Sequence, residues 1–284
     1  MSVGVTLELD GASVFVGRGG ASWQGGKRSR VVLMHGAGMD HTVWVLLGRW
    51  LARHGHDVVV PDLPGHGQSG GEPLQSIEAM SDWLARLLSS LQQHALSEVQ
   101  GGASLGDGPL TVIGHSMGAL IALEATGRIP VSRLVLLGVG YPMAVGAPLL
   151  KAAESDLSTA ADLITHFGHA YSSRLGHNPL PGIPVANLAR ILLMNSRPGA
   201  LHKDLSACAA YCGAEAFANS DALSDTDVQI VAGDQDKMTP PKASLALATL
   251  LSASVHWLPG SGHMMMSEYP EETLAAVRAS LVDA

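Results

Sequence analysis

A serine flanked by two glycines, in Gly114-His115-Ser116-Met117-Gly118, follows the β-rich run Leu110-Thr111-Val112-Ile113 and precedes the helix-like stretch Ala119-Leu120-Ile121-Ala122-Leu123-Glu124. A strand that reverses sharply into a helix presents the serine hydroxyl at the tip of the turn, and the glycines let the two elements approach closely. Ser116 is therefore a candidate nucleophile. Such a nucleophile needs a base, a group to orient the base, and donors for a developing oxyanion. Candidates for all three sit at the ends of other apolar runs. Val228-Gln229-Ile230-Val231-Ala232 ends in Gly233-Asp234-Gln235-Asp236, Ser254-Val255-His256-Trp257-Leu258 leads to Gly260-Ser261-Gly262-His263, and Arg30-Val31-Val32-Leu33-Met34 ends in His35-Gly36-Ala37-Gly38. Serine, acid and histidine follow in that order, each just past the carboxyl end of an expected strand, where open parallel sheets place their ligands.

Each residue also has an ordinary structural use. Asp236 could cap the helix expected from Pro240 or Pro241, since aspartate favours the cap and proline the first helical position. Asp234, two residues earlier, competes for the acid role. The Met117 amide follows the nucleophile and opens a helix, so it would meet an oxyanion with a fixed donor and the positive end of the helix dipole. His35 and His115 read as structural members of their motifs. Met39, Trp44, Met143, Met194, Met264, Met265 and Met266 are candidates for an adaptable apolar pocket, with Met264, beside His263, the strongest.

The elements that must carry these residues are legible as one sheet with one insertion. Val5–Leu9 and Ser13–Val16, separated by Asp10-Gly11, predict a hairpin with a tight primed turn. Strand 31–34 precedes a helix from Trp44 to His54, and strand Val58-Val59-Val60 precedes a helix from Ile77 to His94 with Met80, Leu84, Leu87, Leu88 and Leu91 on one apolar face. Gln100 to Gly108 reads as a mobile surface connector. After the strand Arg133–Leu137, residues 140–225 are rich in Ala and Leu and broken by Pro142, Pro148, Pro179, Pro181, Pro184 and Pro198, which predicts several short helices. The sheet then resumes with strand 228–232, helix 241–251, strand 255–258 and a closing helix 271–282.

The chain's 284 residues can bury one large core. Hydrophobic residues make up 46%, yet no run approaches the roughly 20 needed to span a membrane. The beginning of the chain lacks the features of a signal peptide, which gives the expectation of a cytoplasmic protein. A net charge of -8 without a long basic run argues against nucleic acid as a partner. The two cysteines, Cys208 and Cys212, lie four apart in a helical-looking stretch and read as small buried apolar residues, with no zinc-ligand spacing around them.

Taken together, His35-Gly36-Ala37-Gly38, Pro61-Asp62-Leu63-Pro64-Gly65-His66-Gly67-Gln68-Ser69, the serine turn, Gly233-Asp234-Gln235-Asp236 and Gly262-His263 resemble the motifs of the α/β-hydrolase superfamily, in its lidded, esterase-like branch. The resemblance spans nearly the whole chain, with 140–225 matching only as a variable lid. It implies an α/β fold with a mostly parallel eight-stranded sheet flanked by helices and a helical lid inserted after the sixth strand, the core being 1–139 and 226–284. It implies Ser116, Asp236 and His263 as catalytic triad, the acid standing fourth in Gly-x-x-Asp. It also implies Ala37, beside Met117, as a backbone oxyanion donor; Gly38, Met39, Met143, Met194 and Met264 are the expected substrate-binding residues. The expected activity is hydrolysis of a small to medium carboxylic ester, with no metal or cofactor, by a monomer or homodimer. Haloalkane dehalogenases and epoxide hydrolases carry an aspartate where this chain has Ser116. Carbon–carbon bond hydrolases usually place tryptophan after the histidine, where this chain has Met264. Lactonase, thioesterase and perhydrolase chemistry stay open, as does a carboxylate-bearing substrate held by Arg190 or Arg197. Some proteins of this fold are ligand receptors rather than enzymes.

Overall fold

The structure, a computed structural model, describes residues 4–93, 105–177, 182 and 184–281. Most of the expected connector 100–108, and His94 and Val282 at the ends of two expected helices, lie outside the described residues, as do Pro179 and Pro181 of the insertion. Eight strands, β1 (Gly4–Leu9), β2 (Ala12–Gly17), β3 (Arg30–Met34), β4 (Asp57–Pro61), β5 (Leu110–His115), β6 (Arg133–Leu137), β7 (Asp227–Gly233) and β8 (Ser254–Leu258), form one sheet in the order β1-β2-β4-β3-β5-β6-β7-β8. β1 and β2 pair antiparallel through a turn in which Asp10 and Gly11 both have positive φ, 53° and 77°, as a primed turn requires. β2 runs antiparallel to β4, and every later pairing is parallel.

The central strands are buried on both faces, so successive residues feed two cores. Val32, Met34, Val112, Leu134 and Leu136 join one core. Val31, Leu33, Ile113, Val135 and Leu137 point the other way and join a second. The first core is covered by α2 (Ile77–Gln93), α3 (Met117–Ala125) and α10 (Pro241–Leu251), the second by α1 (Val45–Arg53) and α12 (Pro270–Leu281). All five residues of the expected apolar face of α2 are buried. α3 is buried all round, which explains why its sequence is apolar at every position but one and shows no polar stripe. The helix expected from Trp44 begins instead as a 3₁₀ turn, His41–Trp44, because the Asp40 side chain accepts from the Thr42 amide and starts the turn earlier.

Between β6 and β7 lie α4 (Ala147–Ser155), α5 (Leu157–Gly168), α6 (Tyr171–Arg174), α7 (Val185–Met194), α8 (Ala200–Ala210) and α9 (Ala214–Ala218). α4, α5, α7 and α8 share an apolar core of their own, built from Ala152, Ala160, Ile164, Leu193, Leu201 and Leu205, and Met39 and Met264 from the sheet loops join it. Cys208 is buried on α8, but Cys212 lies past the end of that helix and is exposed, so the two cysteines do not share a helical face. α11 (Met265–Glu268) is a single turn before α12. No helix among the described residues is long and apolar enough to cross a membrane.

Candidate functional site

Ser116 has φ 55° and ψ −117°, a conformation that costs a non-glycine residue free energy and is held here by its surroundings. Its amide donates to the Leu137 carbonyl of β6 at 2.9 Å, which fixes the turn to the sheet. A Cβ on Gly114 would collide with the Gly118 carbonyl, and one on Gly118 with the Met34 carbonyl of β3. The packing of strand, turn and α3 therefore requires both glycines. Ser116 Oγ has no hydrogen-bond partner among the described residues and faces a cavity of about 320 Å³ that His263 also lines.

His263 follows β8 and is almost wholly buried. Its Nδ1 donates to Asp236 Oδ2 at 2.8 Å, which leaves Nε2 as the basic nitrogen. Asp236 also accepts from the Met238 and Thr239 amides and from Thr239 Oγ1, at 2.8, 2.8 and 2.7 Å. Burial alone would push this carboxyl up, but His263 and the Thr239 bonds outweigh it and hold the pKa below the usual carboxylate range. Asp234 is exposed and accepts from the Gly260 amide at 2.7 Å, joining the loops after β7 and β8. The geometry thus brings Asp236, and not Asp234, to the imidazole.

The two motif histidines support these loops. His115 donates from Nε2 to the His263 carbonyl at 2.9 Å, and burial, with His263 beside it, pushes its pKa down to about 3, so it is a neutral strut. His35 donates from Nδ1 to the Gly36 carbonyl and accepts at Nε2 from the Leu63 amide, which holds the loop after β3 against the loop after β4. Within that first loop Ala37 lines the cavity, whereas the Gly38 amide is engaged, donating to Asp204 Oδ2 at 2.8 Å. The Met117 amide opens α3 and has no acceptor within the helix.

The wall of the cavity is mostly apolar, with Met143, Val145, Leu149, Leu163, Phe167, Leu205 and Cys208 supplied by the insertion and the segment leading into it. Of the methionines read from the sequence, Met143 alone lines this cavity. Met39, which follows the loop after β3, and Met264 and Met266, which follow His263, line a separate apolar cavity of about 380 Å³ against α7. Met194 is partly exposed on α7, Met265 is buried in the second core, and Trp44 lines a shallow pocket by β2. A side chain at Gly38 would meet Leu201 and Leu193, so this position packs under α7 and α8 rather than facing the cavity. Arg190 is paired with Asp162 and Arg197 donates to the Ser69 carbonyl. Lys237, directly after Asp236, is the cation that lines the cavity.

Several supporting residues carried no signal in the sequence. Thr239 became visible only through its bond to Asp236. Gly168, at the end of α5, accepts from the His263 and Met264 amides at 2.9 and 3.1 Å, and buried Glu268 accepts from the Ala170 amide at 2.8 Å. The insertion and the His263 loop are tied together by these bonds. Asp204 is polar, fully buried and sits within an apolar helix face, a pattern that marks it out only once the helix is placed.

A profile of the alpha/beta hydrolase family matches residues 31–277. An (E)-2-((N-methylformamido)methylene)succinate hydrolase from Acinetobacter baylyi is 29% identical over 119 residues, which cover 41% of this chain and 40% of that protein. The chain thus spans well under two thirds of that relative's length. Among solved structures, a thermophilic esterase superposes with a TM-score of 0.74 at 24% identity, over 98% of this chain and 97% of that one. The enol-lactonase of Burkholderia xenovorans LB400 gives 0.78 at 17% identity, over 98% and 100%. At such identities these two likenesses speak for the fold alone.

Proposed function

Since the chain belongs to the alpha/beta hydrolase family, we propose that it is a serine hydrolase that cleaves small to medium carboxylic esters through an acyl-enzyme. The observation that carries this reading is the convergence of Ser116 and His263 on one cavity while Asp236 holds the far side of the imidazole. In the forward step His263 Nε2 takes the Ser116 proton as Oγ attacks the carbonyl carbon, and Asp236 stabilises the imidazolium and fixes its tautomer. The oxyanion is met by the Ala37 and Met117 amides, donors already fixed before reaction. His263 returns the proton to the departing alcohol. It then takes a proton from the water that attacks the acyl carbon and passes it to Oγ as the bond to Oγ breaks, which releases the acid and restores Ser116.

A cavity of about 320 Å³ stands at the small end of ligand pockets, and its apolar wall suits a short acyl or alkyl group. Lactones and thioesters present the same carbonyl to the same groups. A panel of p-nitrophenyl esters of increasing chain length, with a lactone and a thioester beside it, identifies the preferred class. Ser116→Ala is expected to remove at least three orders of magnitude of kcat while circular dichroism stays unchanged. Retention of more than about a tenth of the rate, a barrier change of only ~1.4 kcal/mol, contradicts the nucleophile.

Lys237 favours a second reading, in which the ester carries a remote carboxylate. A half-ester of a dicarboxylic acid would then have a kcat/KM above that of the matching neutral diester. Lys237→Met should erase that preference with little effect on the neutral substrate. Equal loss on both substrates would show that the lysine serves structure only.

A further inference from the structure

We propose that Asp204, a carboxylate of the inserted helix α8, is a positioning residue that sets the oxyanion loop. This role rests on the reading above, in which the Ala37 amide is one of the two oxyanion donors. Asp204 Oδ2 accepts from the Gly38 amide at 2.8 Å and is bonded to His66 Nε2, also at 2.8 Å. His66 in turn donates from Nδ1 to the Pro64 carbonyl at 3.0 Å, in the loop after β4. One oxygen of the insertion thereby joins two sheet loops. Gly38 has φ 66° and lies so close to Leu201 and Leu193 that a Cβ there would meet Leu201 Cδ1 at 2.9 Å. The loop and the insertion are packed directly against each other here, with no room for a side chain between them.

Consecutive turns of α8 divide the work. Leu201 packs on Gly38, Asp204 bonds its amide, and Leu205, directly after Asp204, and Cys208, one turn further on, line the cavity over Ser116. The bond to Gly38 holds the Ala37–Gly38 peptide plane, which shares the Ala37 Cα with the Gly36–Ala37 plane that carries the Ala37 amide. That second plane is held in turn at its Gly36 carbonyl, which accepts from His35 Nδ1 and the Met39 amide at 3.0 and 3.2 Å. Asp204 is fully buried and its Oδ1 has no partner. A buried ion pair of this kind is commonly no more stabilising than apolar residues of similar volume. Stability alone therefore does not account for it, whereas fixing a catalytic amide does.

The test compares kcat, KM and affinity for phenylboronic acid, which forms a tetrahedral adduct with a serine nucleophile, using p-nitrophenyl butyrate as substrate. Asp204→Ala should lower kcat tenfold or more, with KM within about threefold, and weaken boronate binding by a similar factor, because an oxyanion donor acts in the transition state. Asp204→Asn keeps an oxygen for the Gly38 amide and should recover most of kcat. Should Asp204→Ala fail to fold, the double variant Asp204→Leu/His66→Phe removes both buried partners at nearly constant volume. That double variant should be folded and show the same kcat-specific loss. If folded Asp204→Ala, or the double variant in its place, turns over within twofold of wild type while Ser116→Ala is inactive, the positioning role is wrong and the hydrolase reading stands. A loss carried by KM alone, with boronate affinity unchanged, also overturns it. If Ser116→Ala itself stays active, the hydrolase reading falls, and this role with it.

Discussion

Two aspartates two positions apart give the sharpest residue-scale prediction. Asp236→Asn should lower kcat by roughly 10⁴, since the amide favours the wrong tautomer and cannot stabilise imidazolium. Asp234→Asn should cost less than tenfold, because its bond to the Gly260 amide lies on the exposed side of the loop. Both changes remove one charge from the same turn, so a purely general electrostatic effect would make them equal. A larger loss at Asp234 would reverse the assignment. Ser116, Asp236 and His263 were legible because each follows a strand whose apolar run is unmistakable, and the turn after a buried strand is local information. Thr239 and Asp204 were not, since what matters about them is the partner, 3 residues away across a cap in one case and 166 residues away in the other. Of the pocket methionines Met143 lines the cavity beside Ser116, and the others do not for a related reason. Adjacency in sequence to His263 or to the His35–Gly38 loop says nothing about which side of a loop a flexible thioether faces, and the structure turns Met264 and Met39 into another cavity.

At the scale of elements, β5, the serine turn and α3 behave as one unit closed by two glycines. Gly114→Ala should destabilise the protein by about 1–3 kcal/mol or more, since the added methyl meets the backbone of Gly118 and Ala119 rather than a movable side chain. Urea unfolding of wild type and variant at one temperature measures it, and a difference below about 0.5 kcal/mol would mean the strand–helix contact is slack. Strand and core-helix positions were readable to within a residue or two because burial on both faces imposes continuous apolar runs, and α2 imposes a 3.6 period. The first turn of the helix after β3 was not, because a 3₁₀ start depends on the single Asp40 cap. Within the insertion, prolines told where helices break but not which face covers the cavity.

Buried histidines contribute to the pH response of the whole molecule in opposite directions. His115 is pushed down to about 3 and His169 to about 4, first by burial. Each is neutral in the fold, so its contribution is full above about pH 6.5, where the unfolded side chain is neutral too, and is lost as pH falls towards the folded value. His41 and His66 work the other way. Burial lowers them, but Asp62 and Asp204 respectively outweigh it and hold both raised, so they gain stability on the same descent. Comparing wild type with His169→Gln isolates one contribution, which should shrink the stability lost between pH 6.5 and 4 by ~3 kcal/mol. Equal acid slopes would mean that His169 is hydrated in the fold. The insertion also touches both halves of the site, through the Gly168 carbonyl on the His263 loop and Asp204 on the Gly38 loop. Transplanting this region between family members is consequently not a modular swap. A grafted segment with a well-shaped pocket but no acceptor at these two points would bring specificity without competence, and a library that varies the insertion for new substrates should leave Gly168 and Asp204 fixed.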